Sequence, residues 1–575
     1  MEYYKRNRMM KKKYKADSPE HTVKRIREKI AKLGIPIREI TLGDGKMFFS
    51  CRITITRDDD SSIGTNGKGM NESYARASGY AEFMERLQNR AIIYPNPASI
   101  NAPCRFFPDE KDYCWTHAEA EANIKKYAPR VYPAETGLNA QKVEGKSLPF
   151  YHVNSGETIE FPYSLIRWTN GSNGMCAGNI SEEALIQGFN EIFERYCIQE
   201  MYLRKITPPD IPLSEFEGTE ILRRLEYLRD VYGMDFRVKD ISLGEGFPVL
   251  GLLLYNPDKT KYIVHLGADL NAHVALERCF TEIFQGYTAE TLRFDNDIND
   301  CEKLDLFNEF KRSLMHGRGR QYSSFFNETP SYPYQGHTTI PEGSDFREDL
   351  HNICQWIMNK GYNIYIRDNS FLGFPTLHIV VPGLSEIDST FCDLNRRVDH
   401  MQLTENRFNP LFRLSTLDPE ECKETIGYIE QLRDDGINLF TRNNNPMNHV
   451  NRHLLLMILY VRISQNEMAL YHLKEYEKFC FQSHKEMQKY YYEIKHLLQG
   501  ETIDTHSRDA KIALAFVSHP ENALHTIAAP NCFDCEHCEI SQGCRYPLLI
   551  EVEDIIQQAM ADRTINQLKL KEIFK

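Results

Sequence analysis

No apolar run in the 575 residues approaches the roughly 20 needed to cross a bilayer. The first residues, MEYYKRNRMMKKKYK, lack the apolar stretch of a signal peptide, so a cytoplasmic protein is expected. The G-x-x-x-x-G-K-[ST] P-loop is missing. No RNA-binding aromatic motif accompanies the basic start (KRNRMMKKKYK, then KRIREKIAK), which therefore reads as a solvated terminus and not as a nucleic-acid arm. Outside that cluster the chain is acidic, with a net charge of −12 overall. Eleven of the 15 cysteines lie scattered in apolar or mixed surroundings, as free thiols do in a reducing compartment.

Strand and helix units fill the first 410 residues. TVKRIREKIAKLG (22–34) predicts a helix ended by Gly34, and IPIREITL and MFFSCRITIT read as strands. The glycine-rich GTNGKG (64–69) leads into a helix. SNGMCAGNIS leads into another, from Ser181 as N-cap to about Leu203, and YIVHLGADLNAH into a third. YGMDFRVKDISLGEGFPVLGLLLY (232–255) and GYNIYIRDNSFLGFPTLHIVVPG (361–383) echo one another. Each reads strand, Asp-x-Ser turn, Gly-Phe-Pro, buried strand. The pattern predicts an α+β (α/β-like) domain with internal strand–helix repeats over 1–410. An all-α, tetratricopeptide-like region is expected over 411–525, where VNRHLLLMILYVRI and EMALYHLKEYEKFCFQ show helical periodicity. Residues 526–575 hold a cysteine-rich segment and a last helix from about Leu548 to Ala561.

Three helices share an unusual feature. GFNEIFERYC (188–197) sets Glu191, Glu194 and Arg195 on one side, opposite Phe189, Ile192, Phe193 and Tyr196. SGYAEFMERL (78–87) repeats the spacing with Glu82, Glu85 and Arg86. CFTEIFQGYT (279–288) supplies Glu282 and Gln285, with Arg278 just before. Glu183, two turns above Glu191, shares the face of Glu194. The plainer explanation is a solvated face with an i,i+4 Glu–Arg pair worth about 0.3–0.5 kcal/mol. It leaves the recurrence unexplained, and also the glycine-bearing turn before each helix, which would let backbone approach a ligand. If the faces converge, five glutamates repel one another until cations neutralise them. Hard oxygen donors suit Mg²⁺, which bridges carboxylates to phosphate oxygens, and the interleaved arginines suit the phosphates. A nucleotide triphosphate site without a P-loop is expected.

Near the C-terminus, CFDCEHCEISQGC arrays Cys532, Cys535, Cys538 and Cys544 as C-x₂-C-x₂-C-x₅-C. Four thiolates so spaced can complete a tetrahedron around Zn²⁺, with an iron–sulfur cluster as the alternative.

TNGKG before SGYAEFMER, SNGMCAGN before GFNEIFERY, LGADLNAHVALER before TEIFQG, and the late VVPGLSEI together resemble the YcaO family over about residues 10–410. The resemblance implies an ATP-dependent enzyme that phosphorylates the oxygen of a peptide amide, giving a thioamide or an azoline. It also implies Mg²⁺ held by Glu82, Glu85, Glu191, Glu194 and Glu282. Arg86, Arg195 and Arg278 would then frame phosphates, Asn179 and Glu183 would sit at the nucleotide, and Lys15 and Thr22 would match the family's lysine and hydroxyl ligands. Of these, Glu191, Glu194 and Arg195 are the expected catalytic residues. A non-catalytic role as accessory factor for β-methylthiolation of ribosomal protein S12 is the second expectation. Partners implied are a peptide or protein substrate, a partner enzyme and a second copy of the chain. The ending KLKEIFK lacks the proline-rich tail of azoline-forming members, and no fused peptide clamp is expected ahead of the strand–helix units. Cyclodehydration is thereby less favoured, and any leader peptide is expected to need another protein.

Overall fold

The computed structural model describes residues 15–57, 63–93, 106–131, 137–298, 305–317, 319–387, 395, 398, 417–430, 451–482, 486–520, 546–561 and 568–574. The first helix, α1 (Pro19–Leu33), opens on Ser18, whose Oγ accepts from the His21 N–H at 3.2 Å, and closes on Gly34 at φ 75°. β1 (Ile37–Gly43), β2 (Phe49–Ile55) and β3 (Gly64–Gly69) form an antiparallel sheet that runs into α2 (Glu72–Gln88). Next come β4 (Lys111–Thr116), α3 (His117–Tyr127), β5 (Lys142–His152), β6 (Glu157–Phe161), α4 (Tyr163–Asn170), β7 (Met175–Ala177) and α5 (Ser181–Arg204). A third block comprises α6 (Glu220–Tyr232), β8 (Phe236–Asp240), β9 (Val249–Tyr255), β10 (Lys261–Ala268), α7 (Ala272–Ile283), β11 (Asn296–Asp297) and α8 (Leu306–His316). α9 (Phe346–Asn359), β12 (Tyr365–Asp368) and β13 (Thr376–Val380) complete it.

The second sheet runs β11-β10-β9-β8. The third runs β4-β5-β12-β13-β7, with β6 on β5. Every strand pairing among the described residues is antiparallel, so the architecture is α+β.

The two echoed segments form matching hairpins, β8–β9 and β12–β13. In each, an aspartate at the strand end accepts from the serine two residues on: Asp240 from the Ser242 N–H at 2.9 Å, Asp368 from the Ser370 N–H at 2.9 Å. One expectation needs correcting. Ser181 is the first residue of α5, while Ile180 holds the cap position with no side-chain hydrogen bond. Glu182 and Glu183 in the first turn supply the negative charge that the helix N-terminus favours instead.

Beyond residue 410 the described chain is helical. α10 (Pro419–Glu430), α11 (Arg452–Arg462), α12 (Asn466–Gln482), α13 (Lys489–Leu498) and α14 (Arg508–Ser518) pack as successive neighbours around their own core, which includes Leu455, Ile458 and Phe516. α15 (Tyr546–Ala561) then returns to the first core, burying Leu549, Val552, Ile556 and Met560 there. α16 (Leu568–Ile573) places Leu570 in the second. No helix among the described residues is long and apolar enough to cross a membrane.

The return of α15 is locked by a buried ion pair. Arg90 Nη2 meets both Glu553 carboxylate oxygens at 2.5 Å, with side chains 0% and 3% exposed. Removing one partner strands the other charge. Glu553→Ala is expected to lose about 3–5 kcal/mol, and a joint apolar replacement of both residues far less. Denaturant unfolding followed by the fluorescence of Trp115 and Trp168, which pack on this core, measures it; a loss under ~1 kcal/mol for the single substitution would contradict it.

His378 on β13 lies opposite Arg367 on β12 and is fully buried. Burial, and then the Arg367 charge, hold its imidazole down at about 4. The unfolded chain takes up this proton below about 6.5, whereas the folded chain refuses it. The stability contribution is therefore complete above pH 6.5 and is lost as pH falls toward 4. His378→Leu should flatten the acid limb of stability against pH in that window, and an unchanged slope would refute the assignment.

Candidate active site

Three strand–helix units position the acids. Each helix packs on its own preceding strand: α2 on β3, α5 on β7, α7 on β10. Each also touches the strand of another unit: α2 packs on β7, α5 on β10, and α7 on β3. The units thus close into a ring, with α2, α5 and α7 around one centre. Glycine makes the strand–helix approach possible, because a Cβ at Gly67 would fall 2.0 Å from the Ala75 oxygen and one at Gly267 2.3 Å from the Ala275 oxygen. These glycines therefore serve strand–helix packing, where the sequence suggested a backbone approach to a ligand.

The acidic faces meet inside the ring. Glu85 is electrostatically coupled to Glu191 and Glu82, and Glu194 to Glu191. Burial raises the Glu85 carboxyl well above the usual carboxylate range; Arg86 pulls it down, while Glu191 and Glu82 push it further up. The Glu194 carboxyl is also raised, by burial first and by Glu191, against the pull of Arg195 and Lys68. Arg86 sits 3.5 Å from Glu82 and 3.6 Å from Glu85. Arg278 pairs with Asp269 at 3.2 Å and acts on Glu194 as well. Arg195 donates from Nη1 to the Leu314 carbonyl at 2.5 Å.

A second group joins α1 to the start of α5. The Thr22 hydroxyl donates to Asn179 Oδ1 at 2.8 Å, Lys15 Nζ lies 3.5 Å from Glu183, and the Ala16 N–H donates to Glu183 at 2.9 Å. The structure thus brings together Lys15, Thr22, Asn179 and Glu183 at one end, and Glu82, Glu85, Arg86, Glu191, Glu194, Arg195, Arg278 and Glu282 at the other. Cys532, Cys535, Cys538 and Cys544 lie outside the described residues.

Two site residues escaped the sequence reading. Lys68 contacts Glu282 and is held electrostatically by Glu194 and Glu82. Burial lowers its pKa, opposed by those two acids. The sequence reading treats GTNGKG as a glycine-rich connection, but it is strand β3, and its alternation turns Gly67 and Gly69 toward α2 and Lys68 the other way. Arg25, one turn beyond Thr22, donates to Asn179 Oδ1 at 3.0 Å. A cavity of about 510 Å³ opens beyond the acids, lined among others by Glu194, Arg195, Glu282, Met201, Tyr202 and Leu314.

The donor set fits a divalent cation brought in with phosphate. On the α2–α5 side three carboxylates, Glu82, Glu85 and Glu191, act on the single guanidinium of Arg86. No three His, Cys, Asp or Glu side chains among the described residues stand ready as a complete metal cage. Spread along a cleft, the carboxylates suit Mg²⁺, which keeps part of its shell for phosphate oxygens and water.

The chain is similar to several known proteins. Residues 66–385, more than half of the chain, match the family described as YcaO cyclodehydratase, ATP- and Mg²⁺-binding. The chain is 27% identical over 449 residues to the ribosomal protein S12 methylthiotransferase accessory factor YcaO of Escherichia coli, covering 74% of each. Among solved structures it resembles a heterocyclase in complex with substrate and cofactor (TM-score 0.46, 18% identity, 65% of this chain). It spans only 53% of that heterocyclase. It also resembles YcaO from Methanopyrus kandleri bound with AMPPCP and Mg²⁺ (TM-score 0.41, 17% identity, 64% of this chain and 92% of the other). The protein belongs to the YcaO family.

Proposed function

We propose that this protein uses ATP and Mg²⁺ to activate a peptide or protein backbone amide by phosphorylating its oxygen, for thioamide- or azoline-type modification. The observation that carries the reading is the ring in which α2, α5 and α7 pool their glutamates. An amide is resonance-stabilised and its oxygen leaves poorly. A nucleophile adds to the carbonyl carbon, and the resulting oxyanion takes the γ-phosphoryl group as ADP departs. Phosphate then leaves with the C–O electron pair. Sulfide as nucleophile ends as C=S; a Cys, Ser or Thr side chain ends as a ring with C=N once the amide proton is lost.

Bound Mg²⁺, held by Glu82, Glu85, Glu191, Glu194 and Glu282, would neutralise charge on the phosphates. The chain's own cations, Arg86, Arg195 and Arg278, frame the same charge, and Lys15, Thr22, Asn179 and Glu183 hold the nucleoside end. Here Cys532, Cys535, Cys538 and Cys544 bind Zn²⁺ or an iron–sulfur cluster. The helical region is tetratricopeptide-like and grips a partner enzyme or the substrate protein, and a homodimer works in the cytoplasm. Glu191→Ala or Glu194→Ala in the full chain should cut ATP hydrolysis by about 10²–10³-fold, the scale of removing one electrostatic stabiliser. Hydrolysis at the unsubstituted rate in both variants would remove this reading.

The name of the Escherichia coli relative favours a second reading, an accessory factor for β-methylthiolation of ribosomal protein S12. Intact-mass measurement of S12 from a strain lacking this protein discriminates. Absence of the methylthio group is expected for the accessory role, and fully modified S12 would exclude it.

A further inference from the structure

Residues 331–340 form neither helix nor strand, yet they are fastened down along their length. The Ser331 N–H donates to the Thr207 carbonyl at 2.8 Å, and Ser331 Oγ accepts from the Thr207 N–H at 2.9 Å. The Tyr332 hydroxyl donates to the Asp240 carbonyl at 2.8 Å, and the Tyr334 hydroxyl to Glu215 Oε2 at 2.7 Å. Further along, the Thr338 hydroxyl donates to the Gly246 carbonyl at 2.8 Å, and Trp356 Nε1 donates to Thr339 Oγ1 at 2.9 Å. The strap lies tight on the β8–β9 turn because position 246 is glycine: a Cβ there would fall 2.1 Å from Thr339 Oγ1. Ile340 ends it in the second core.

Between these fastenings sits His337, whose Nε2 lies 2.6 Å from the Asp269 carbonyl oxygen. A carbonyl only accepts, so the imidazole proton is on Nε2. Nδ1 is buried with no hydrogen-bond partner among the described residues, and a second proton there would be an unpaired buried charge. Burial accordingly lowers the pKa of His337, helped by His273 and opposed by the bond to Asp269 and the charges of Asp269 and Glu215. The ring is a neutral, single-donor group.

Asp269 is held from every side. Its N–H donates to the Pro248 carbonyl at 3.1 Å, Oδ1 accepts from the Asn271 N–H at 3.1 Å, and Oδ2 accepts from Arg278 Nη2 at 3.2 Å. The Arg278 charge in turn acts on Glu194 and Lys68 in the acidic centre.

We propose that His337 is a positioning residue for the phosphate end of the nucleotide site: it fixes the Asp269 peptide, and the Asp269 carboxylate then aims Arg278 at the acidic centre. The proposal rests on the nucleotide reading above, in which Arg278 frames the phosphates. His337 itself touches none of the acids' carboxylates and acts only through Asp269.

The test titrates the full chain with Mg²⁺ and a non-hydrolysable ATP analogue by calorimetry. His337→Leu should raise Kd about 3–10-fold, the scale of one hydrogen bond. His337→Gln, whose amide N–H reaches the same carbonyl, should bind within about twofold of the unsubstituted chain. In an Arg278→Ala background, His337→Leu should cause no further loss, whereas a histidine serving the fold alone would multiply the two losses. His337→Asn, whose amide is too short to reach, is read in place of His337→Leu if that variant does not fold, with the same loss expected. Unchanged affinity in the shortened or apolar variant, no rescue by glutamine, or multiplied losses would each overturn the positioning role. Failure of the unsubstituted chain to bind Mg–nucleotide, or Arg278→Ala binding as well as the unsubstituted chain, would instead overturn the reading on which it rests.

Discussion

Like charges cannot be gathered in a protein unless something rigid holds them there. Here the rigid element is the closed ring of strand–helix units, in which each helix is wedged between its own strand and the strand of a neighbouring unit. The ring places Glu85 and Glu194 where burial and neighbouring carboxylates both disfavour their ionised forms. Cooperative packing elsewhere offsets that cost. Apolar faces of the same helices, Phe83, Met84 and Leu87 on α2 and Phe189, Ile192 and Phe193 on α5, are completely buried on the opposite side. A site that is electrostatically unhappy when empty is one that gains most from a cation and its phosphates.

Cations built into the chain temper the repulsion without abolishing it. Arg86 serves the α2 acids, and Lys68 reaches from β3 to Glu282 on α7, linking the first unit to the third. Because Lys68 rides on a strand whose flanking glycines let it press against α2, its position follows from backbone packing. The chain's own counterions are therefore as fixed as the acids. Fixed groups need no reorganisation when charge enters the cleft.

The far C-terminal helices show a different use of buried charge. α15 comes back from the helical region to the first core, and Arg90 and Glu553 meet there out of solvent. Such a pair is costly to assemble and costlier to break, so it contributes more to the register of docking than to net stability. The contact fixes α15 to the strand–helix domain, although Glu553 lies more than 450 residues from Arg90 in sequence.

Much of this was legible in the sequence because it is written in local periodicity. The Glu-x-x-Glu-Arg spacing on α2 and α5, the paired Asp-x-Ser hairpins and the Gly34 helix end all depend on neighbours within a turn or two. Lys15, Thr22, Asn179 and Glu183 were named through resemblance and not through spacing, and their mutual contacts are a matter of tertiary structure. What only the tertiary structure decided depends on contacts between distant segments. It showed that the strand pairings are antiparallel, that Lys68 is a member of the acidic centre, and that α15 docks on the first core. A sequence fixes which faces are acidic and which are apolar, because those follow from the pitch of a helix. Which faces meet is set by long-range packing, where no single residue carries the signal.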